Sequence, residues 1–149
     1  WKYRSPMMNK MVDGNSNDAI QNQRTKYDWL SKDEQIIDQY IADEECGFPF
    51  TINGLKAITE AIDNLNKKEY LNKMPRELPV IFLAGDQDPI GHWGKDVPLI
   101  VKQFENMGMQ KVSMKLYPDD RHEILNETDH QTVYEDILKW LEEQLNLQK

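Results

Sequence analysis

The stretch "GDQDPIG", Gly85 to Gly91, sets two carboxylates, Asp86 and Asp88, directly after five apolar residues, Val80 to Ala84. Further on, "YPDDRHEIL" presents His122 between a polar run and an apolar turn. A carboxylate is costly to bury unpaired, so one at the mouth of an apolar strand either faces water or has a partner. A histidine is such a partner. The carboxylate fixes the imidazole tautomer and stabilises its charged form, and the other ring nitrogen then serves as a general base. Other readings of the same residues stand beside this one. Asp and Pro are turn formers through local hydrogen bonding and fixed φ. A calcium loop over "DQDPIG" has acids at positions 1 and 3 and Gly at 6, but Ile90 stands at position 5 and Val97 at 12, where Glu is needed. A phosphoryl-transfer site built on the strand and its Asp-x-Asp lacks the usual Thr or Val afterwards and an acidic pair after the later strand. His92 reads as a loop residue and His130 as a helix start, and three scattered histidines without Cys or H-E-x-x-H spacing argue against zinc.

The elements that position these residues follow from periodicity. Val80 to Ala84 is a strand entered between Pro75 and Pro79. The spacing predicts a helix over 96–107, with Asp96 as N-cap and Gly108 at its C-terminal end. Lys111 to Tyr117 alternates as a second strand, closed by Tyr117 and Pro118. A final helix runs over 130–145, with a stripe of Val133, Ile137, Trp140 and Leu141 and a capping box of Thr128 and Gln131. Upstream, Leu55, Ile58, Ile62 and Leu65 recur at helical steps over 51–74, and "CGFPF" at 46–50 breaks any helix before them. A short amphipathic segment at 33–42 carries Ile36, Ile37, Tyr40 and Ile41. The last 75 or so residues thus read strand, loop, helix, strand, loop, helix, the alternation of a parallel sheet covered by helices. In such sheets ligands sit beyond the carboxyl ends of the strands, where Asp88 and His122 both fall. Two parallel strands alone leave both faces open, so the α/β portion is expected to be part of a larger sheet.

Bulk properties narrow the partners. The 149 residues carry a net charge of −8 and 30% charged residues, with a pI near 4.9. That balance repels phosphate backbones and anionic lipid, which speaks against nucleic-acid binding and polybasic membrane docking. Cys46 is the only cysteine. It excludes an intrachain disulfide and fits a reducing, cytoplasmic compartment. No apolar run approaches the roughly 20 residues of a membrane span, and the opening residues show no secretory h-region. The start at Trp1 hints at an upstream segment.

"LPVIFLAGDQDPIG", "GKDVPLIVKQFENMGM", "VSMKLYPDDRHEILNET" and "VYEDILKWLEE" together resemble the C-terminal half of α/β-hydrolases. The likeness is to the lysophospholipase and monoacylglycerol-lipase-like branch, filed with serine aminopeptidase-type hydrolases. "YRSPMMNKM" through "CGFPF" resembles that branch's cap region. The resemblance implies a partial α/β-hydrolase fold, with residues 1–50 as cap or lid and 51–149 as the C-terminal part of the core. It implies Asp88 as the triad acid and His122 as the triad base, with Asp86 a turn or supporting group. Ile90 would line the acyl pocket, and Met7, Met8, Met11 and Phe48 would offer adaptable apolar surface to an acyl chain. The family's G-x-S-x-G nucleophile elbow has no counterpart here, since Ser5, Ser16, Ser31 and Ser113 all lie outside such a motif. The expectation is a C-terminal piece of a longer serine ester hydrolase, lacking roughly a hundred or more residues, inactive alone, and partnered by its N-terminal half. Its substrates would be lipid or lysolipid esters, with no metal or organic cofactor. The alternative is a non-catalytic α/β binding protein that self-associates through an exposed sheet edge.

Overall fold

The computed structural model describes residues 2–13, 16–18, 20–65 and 67–146; Trp1 lies outside them. Helices α1 (Pro6–Asp13), α2 (Glu34–Ala42), α3 (Ile52–Leu65) and α4 (Lys68–Leu71) precede strand β1 (Val80–Gly85). Helix α5 (Asp96–Asn106), strand β2 (Val112–Tyr117), a 3₁₀ turn at Ile124–Asn126 and helix α6 (His130–Asn146) follow. The first fifty residues contribute helices and turns and, among the described residues, no strand.

β1 and β2 pair in parallel, in register from Val80 opposite Val112 to Gly85 opposite Tyr117. A parallel pair needs a crossover between its strands, and α5 is that crossover, held to β1 by a T-shaped Phe82–Phe104 contact at 5.1 Å. α6 is tied to β2 through Asp136, which accepts from Lys115 Nζ and, at 3.0 Å, from the Tyr117 hydroxyl. α5 ends as its sequence asks. Gly108, at φ 86°, donates to Glu105 O, and Met109 donates to Phe104 O across it, the paired closure that a left-handed glycine permits. Asp33 caps α2, accepting from Gln35 N at 2.8 Å.

Several details depart from the sequence expectation. Lys95, not Asp96, occupies the N-cap of α5, because the Asp96 carboxylate is engaged with His92 Nδ1 at 2.6 Å. The helix over 51–74 is two pieces, since Lys67 turns back onto Asn64 through both its N–H and its Nζ. The Thr128–Gln131 capping box gives way to other bonds: Gln131 Nε2 reaches forward to Glu135, and His130 Nδ1 lies 2.6 Å from Glu127 O.

Burial is uneven. Leu30, Ile37, Leu55, Val97, Met109, Tyr117 and Val133 form the buried core, yet all five apolar residues of β1 from Val80 to Ala84 are only half-buried. Leu141, placed in the buried stripe of α6, is exposed, as are Ile58, Ile62 and Leu65 of α3 and Leu99 of α5. A two-stranded sheet covers one strip of apolar surface and leaves these side chains exposed.

Candidate active site

The register brings both strands to their carboxyl ends at the same level, so the loops leaving Gly85 and Tyr117 run side by side. Asp86 N donates to Tyr117 O at 3.0 Å and Gln87 N to Asp120 O at 2.8 Å. The Asp86 carboxylate accepts from Asp119 N at 2.9 Å and so holds a residue whose φ of 63° lies in the left-handed region. Its role is to fasten one loop to the other. Gly85 permits their approach: a Cβ there would run into the carbonyl oxygens of Asp120 and Arg121 and the carbonyl carbon of Asp120. Beyond Asp88 the chain makes a left-handed turn through His92, Trp93 and Gly94, closed by Trp93 N donating to Asp88 O at 2.8 Å.

Asp88 and His122, 34 residues apart, meet at this edge, with His122 Nδ1 3.1 Å from Asp88 Oδ2. The other carboxylate oxygen accepts from Ile90 N at 2.8 Å. Burial pushes the Asp88 carboxyl up, but the hydrogen bonds from His122 and Ile90 outweigh it and hold the group below its ordinary value. The same contact raises the His122 imidazole above its ordinary value, against the opposing pull of burial. An ionised carboxylate can only accept, so the Nδ1 proton stays on the shared side. Nε2 is then the free lone pair of the neutral ring, the arrangement of a general base. The His122 side chain keeps 38% of its surface open and the Asp88 side chain 11%: the acid is enclosed and the base is reachable.

The pair has a stability signature with a definite sign. The raised imidazole contributes stability that is complete below its ordinary 6.5 and is lost as pH climbs through the raised value. The lowered carboxyl contributes stability that is complete above its ordinary 3.8 and is lost as pH falls through the lowered value. Thermal melts of the protein and its Asp88→Asn variant, from about pH 3 to about pH 9, should differ most between these two ordinary values, the gap narrowing as pH climbs through the raised imidazole value and as it falls through the lowered carboxyl value. A gap independent of pH would contradict the coupling.

His122 rests on the segment just before α2. Four consecutive carbonyls accept from three consecutive loop residues. Asp28 O and Ser31 O accept from Arg121 Nη1 at 2.5 and 3.1 Å. Trp29 O accepts from His122 N at 3.4 Å, and Leu30 O from Glu123 N at 2.8 Å. The Trp29 ring also lies 5.1 Å from the imidazole, centroid to centroid. This bed has no side-chain signature, because its acceptors are main-chain oxygens; Trp29 and the buried Glu127 were the residues that sequence reasoning passed over.

The remaining candidates fall in different places. Ile90 is beside the pair through its N–H, while its side chain is half exposed. Phe48 lines a cavity of about 520 Å³ with Trp29, Tyr27, Tyr40 and Phe50, so Trp29 connects that cavity to His122. Met8 is not among its walls; its N–H closes a turn on Ser5 Oγ at 3.4 Å. Cys46, on the same cavity, has its thiol pushed up by desolvation and by nearby Asp43, the opposite of an activated nucleophile. Ser31 is buried and bonded to Asn126 O and Glu127, each at 3.0 Å. Among the described residues no group of three or more His, Cys, Asp or Glu side chains is arranged to hold a metal ion.

Parallel strands, a crossover helix and an acid-base pair at their carboxyl ends define part of an α/β-hydrolase fold. The chain belongs to the family described as "Serine aminopeptidase, S33", whose model matches residues 3–129. A thermostable carboxyl esterase from Bacillus coagulans, solved with glycerol, superposes with a TM-score of 0.83 at 27% identity. The match covers 95% of this chain and 46% of the esterase. A lipase in its open form superposes with a TM-score of 0.78 at 23% identity, over 91% of this chain and 44% of the lipase; that likeness concerns the fold. The chain therefore spans less than half the length of these structures. No curated protein matches it significantly. Among the described residues, no helix is long and apolar enough to cross a membrane.

Proposed function

We propose that this chain supplies the acid and base of a cytoplasmic serine hydrolase that cleaves carboxylic esters of lipids or lysolipids. The observation that carries the reading is the Asp88–His122 contact at the carboxyl ends of adjacent parallel strands. In the cycle, a serine hydroxyl from a G-x-S-x-G elbow outside these 149 residues attacks the ester carbonyl. His122 Nε2 takes its proton and passes it to the departing alcohol, while Asp88 keeps the ring in the right tautomer and stabilises its cationic form. Water then cleaves the acyl-enzyme by the same base. The 149 residues without the elbow are expected to be inactive. Residues 1–50 serve as the cap, with Phe48 and its cavity offered to the acyl chain and Met8 and Ile90 as further apolar contacts. The chemistry needs no metal or organic cofactor, and the macromolecular partner is the nucleophile-bearing half of the same fold.

The exposed apolar residues of α3, α5 and α6 favour a second reading, a binding protein that self-associates through the outer edges of its two strands, which have no further strand beside them among the described residues. Intact-mass spectrometry after a fluorophosphonate probe separates the two. A single adduct on a polypeptide containing this chain is the expected result. An unlabelled 17.6 kDa species that sediments as a dimer would instead establish the second reading.

A further inference from the structure

Glu127 is fully buried, with 0% of its surface exposed, and it belongs neither to the acid-base pair nor to a helix. One carboxylate oxygen accepts from Arg121 N at 2.7 Å, next to the base. The other accepts from Ser31 Oγ at 3.0 Å and from Lys32 N at 2.9 Å. Buried carboxylates that take several donors make the strong, charge-assisted kind of hydrogen bond. Around it, Lys32 Nζ meets Asp120 and, at 2.9 Å, Asp129, and the carbonyls of residues 28–31 hold residues 121–123 from the other side. Apart from the Arg121–Glu127 bond, which braces the second segment internally, these ties all run between residues 28–32 and 120–129. Residues 28–32 cannot swing away while the loop carrying His122 stays in place.

We propose that residues 28–32 are the fixed seat of the base and that Glu127 is the positioning residue that locks His122 onto it. Any opening of the N-terminal region must hinge outside this segment, leaving part of that region as permanent wall of the site. The proposal rests on the reading of His122 as a general base and adds a residue and a mechanical rule to it. Glu127 does not touch the reacting atoms; it acts through the main chain of Arg121.

The test is made in the complete hydrolase with Glu127→Gln and Ser31→Ala. Glutamine keeps the shape but turns an NH₂ toward groups that are themselves donors. Misplacing a catalytic group by about an ångström costs on the order of 10²-fold in rate. Glu127→Gln should therefore lower kcat by about that factor, with KM within about twofold of the parent. The acidic limb of kcat/KM should move to lower pH as His122 slips from Asp88; the charged groups facing the ring are Asp88 and Glu123. Ser31→Ala, which leaves both N–H donors on Glu127, should give a smaller change in the same direction and decides the matter if Glu127→Gln fails to fold. A lowered melting temperature with kcat, KM and the pH limb unmoved would reduce Glu127 to a structural role and overturn the proposal. An NMR titration of His122 in the same proteins needs no turnover. If it shifts in the variants although the parent hydrolyses nothing, the seat stands and the hydrolase reading falls. An unshifted titration in an active enzyme rejects the seat alone.

Discussion

In the complete hydrolase, Asp88→Asn should lower kcat by about 10⁴-fold while leaving the fold in place. An ionised carboxylate can only accept, which is why the His122 proton sits on Nδ1. An amide at the same position turns its NH₂ toward Nδ1 and draws the proton to Nε2, the nitrogen that must be free to take a proton from the nucleophile. The substitution also removes the charge that raises the imidazole, so the cationic ring formed during attack loses its main stabilisation. The carboxylate oxygen that accepts from Ile90 N at 2.8 Å has a neutral counterpart in asparagine, so the local turn survives. Steady-state hydrolysis of a short activated ester, normalised to sites titrated with a fluorophosphonate, measures the loss. Retention of a tenth or more of the parent kcat would sink the assignment of Asp88 as the acid.

Among the described glycines, Gly85→Ala should be the most damaging added methyl. The added Cβ meets the carbonyl oxygens of Asp120 and Arg121 and the carbonyl carbon of Asp120. These are backbone atoms with no rotamer to retreat into, and they belong to the loop that delivers His122. Overpacking a well-packed site costs about 1–3 kcal/mol and occasionally more. Here the strain must be relieved by lifting the loop, which also stretches the Gln87–Asp120 bond of 2.8 Å. The expected result is a lower urea midpoint together with a His122 titration displaced toward its ordinary value. A variant that melts like the parent would show that the loop can shift without cost, and the tight approach would lose its meaning.

The two strands and the helix between them were legible in the sequence because their signals are local: a run of apolar residues, an alternation, a glycine beyond a helix end. The parallel pairing followed from element order, and with it the meeting of Asp88 and His122. The N-cap of α5 was misplaced because Asp96 had a competing partner, His92, four residues before it. The apolar stripes of α3 and α6 were recognised as stripes, but periodicity does not say what covers them; Val133 is buried and Leu141 is open. Phe48 was singled out and does line a cavity, whereas Met8, chosen on the same grounds of adaptable apolar surface, is not among the walls of that cavity. Least legible was the bed under His122. Its acceptors are carbonyls, which every residue possesses, and Glu127 looks in the sequence like one acid among many until its three donors are seen.

The contact between Ser31 and Glu127 closes a loop of 96 residues, against 34 for the acid-base pair. Loop-closure entropy rises only with the logarithm of length, about 0.6 kcal/mol per doubling, so the longer closure costs about 1 kcal/mol more than the shorter. Distance along the chain is thus a small entropic charge on the placement of the base. Surface turns between the two segments have wide latitude to gain or lose residues before that charge rivals even one of the hydrogen bonds that join them.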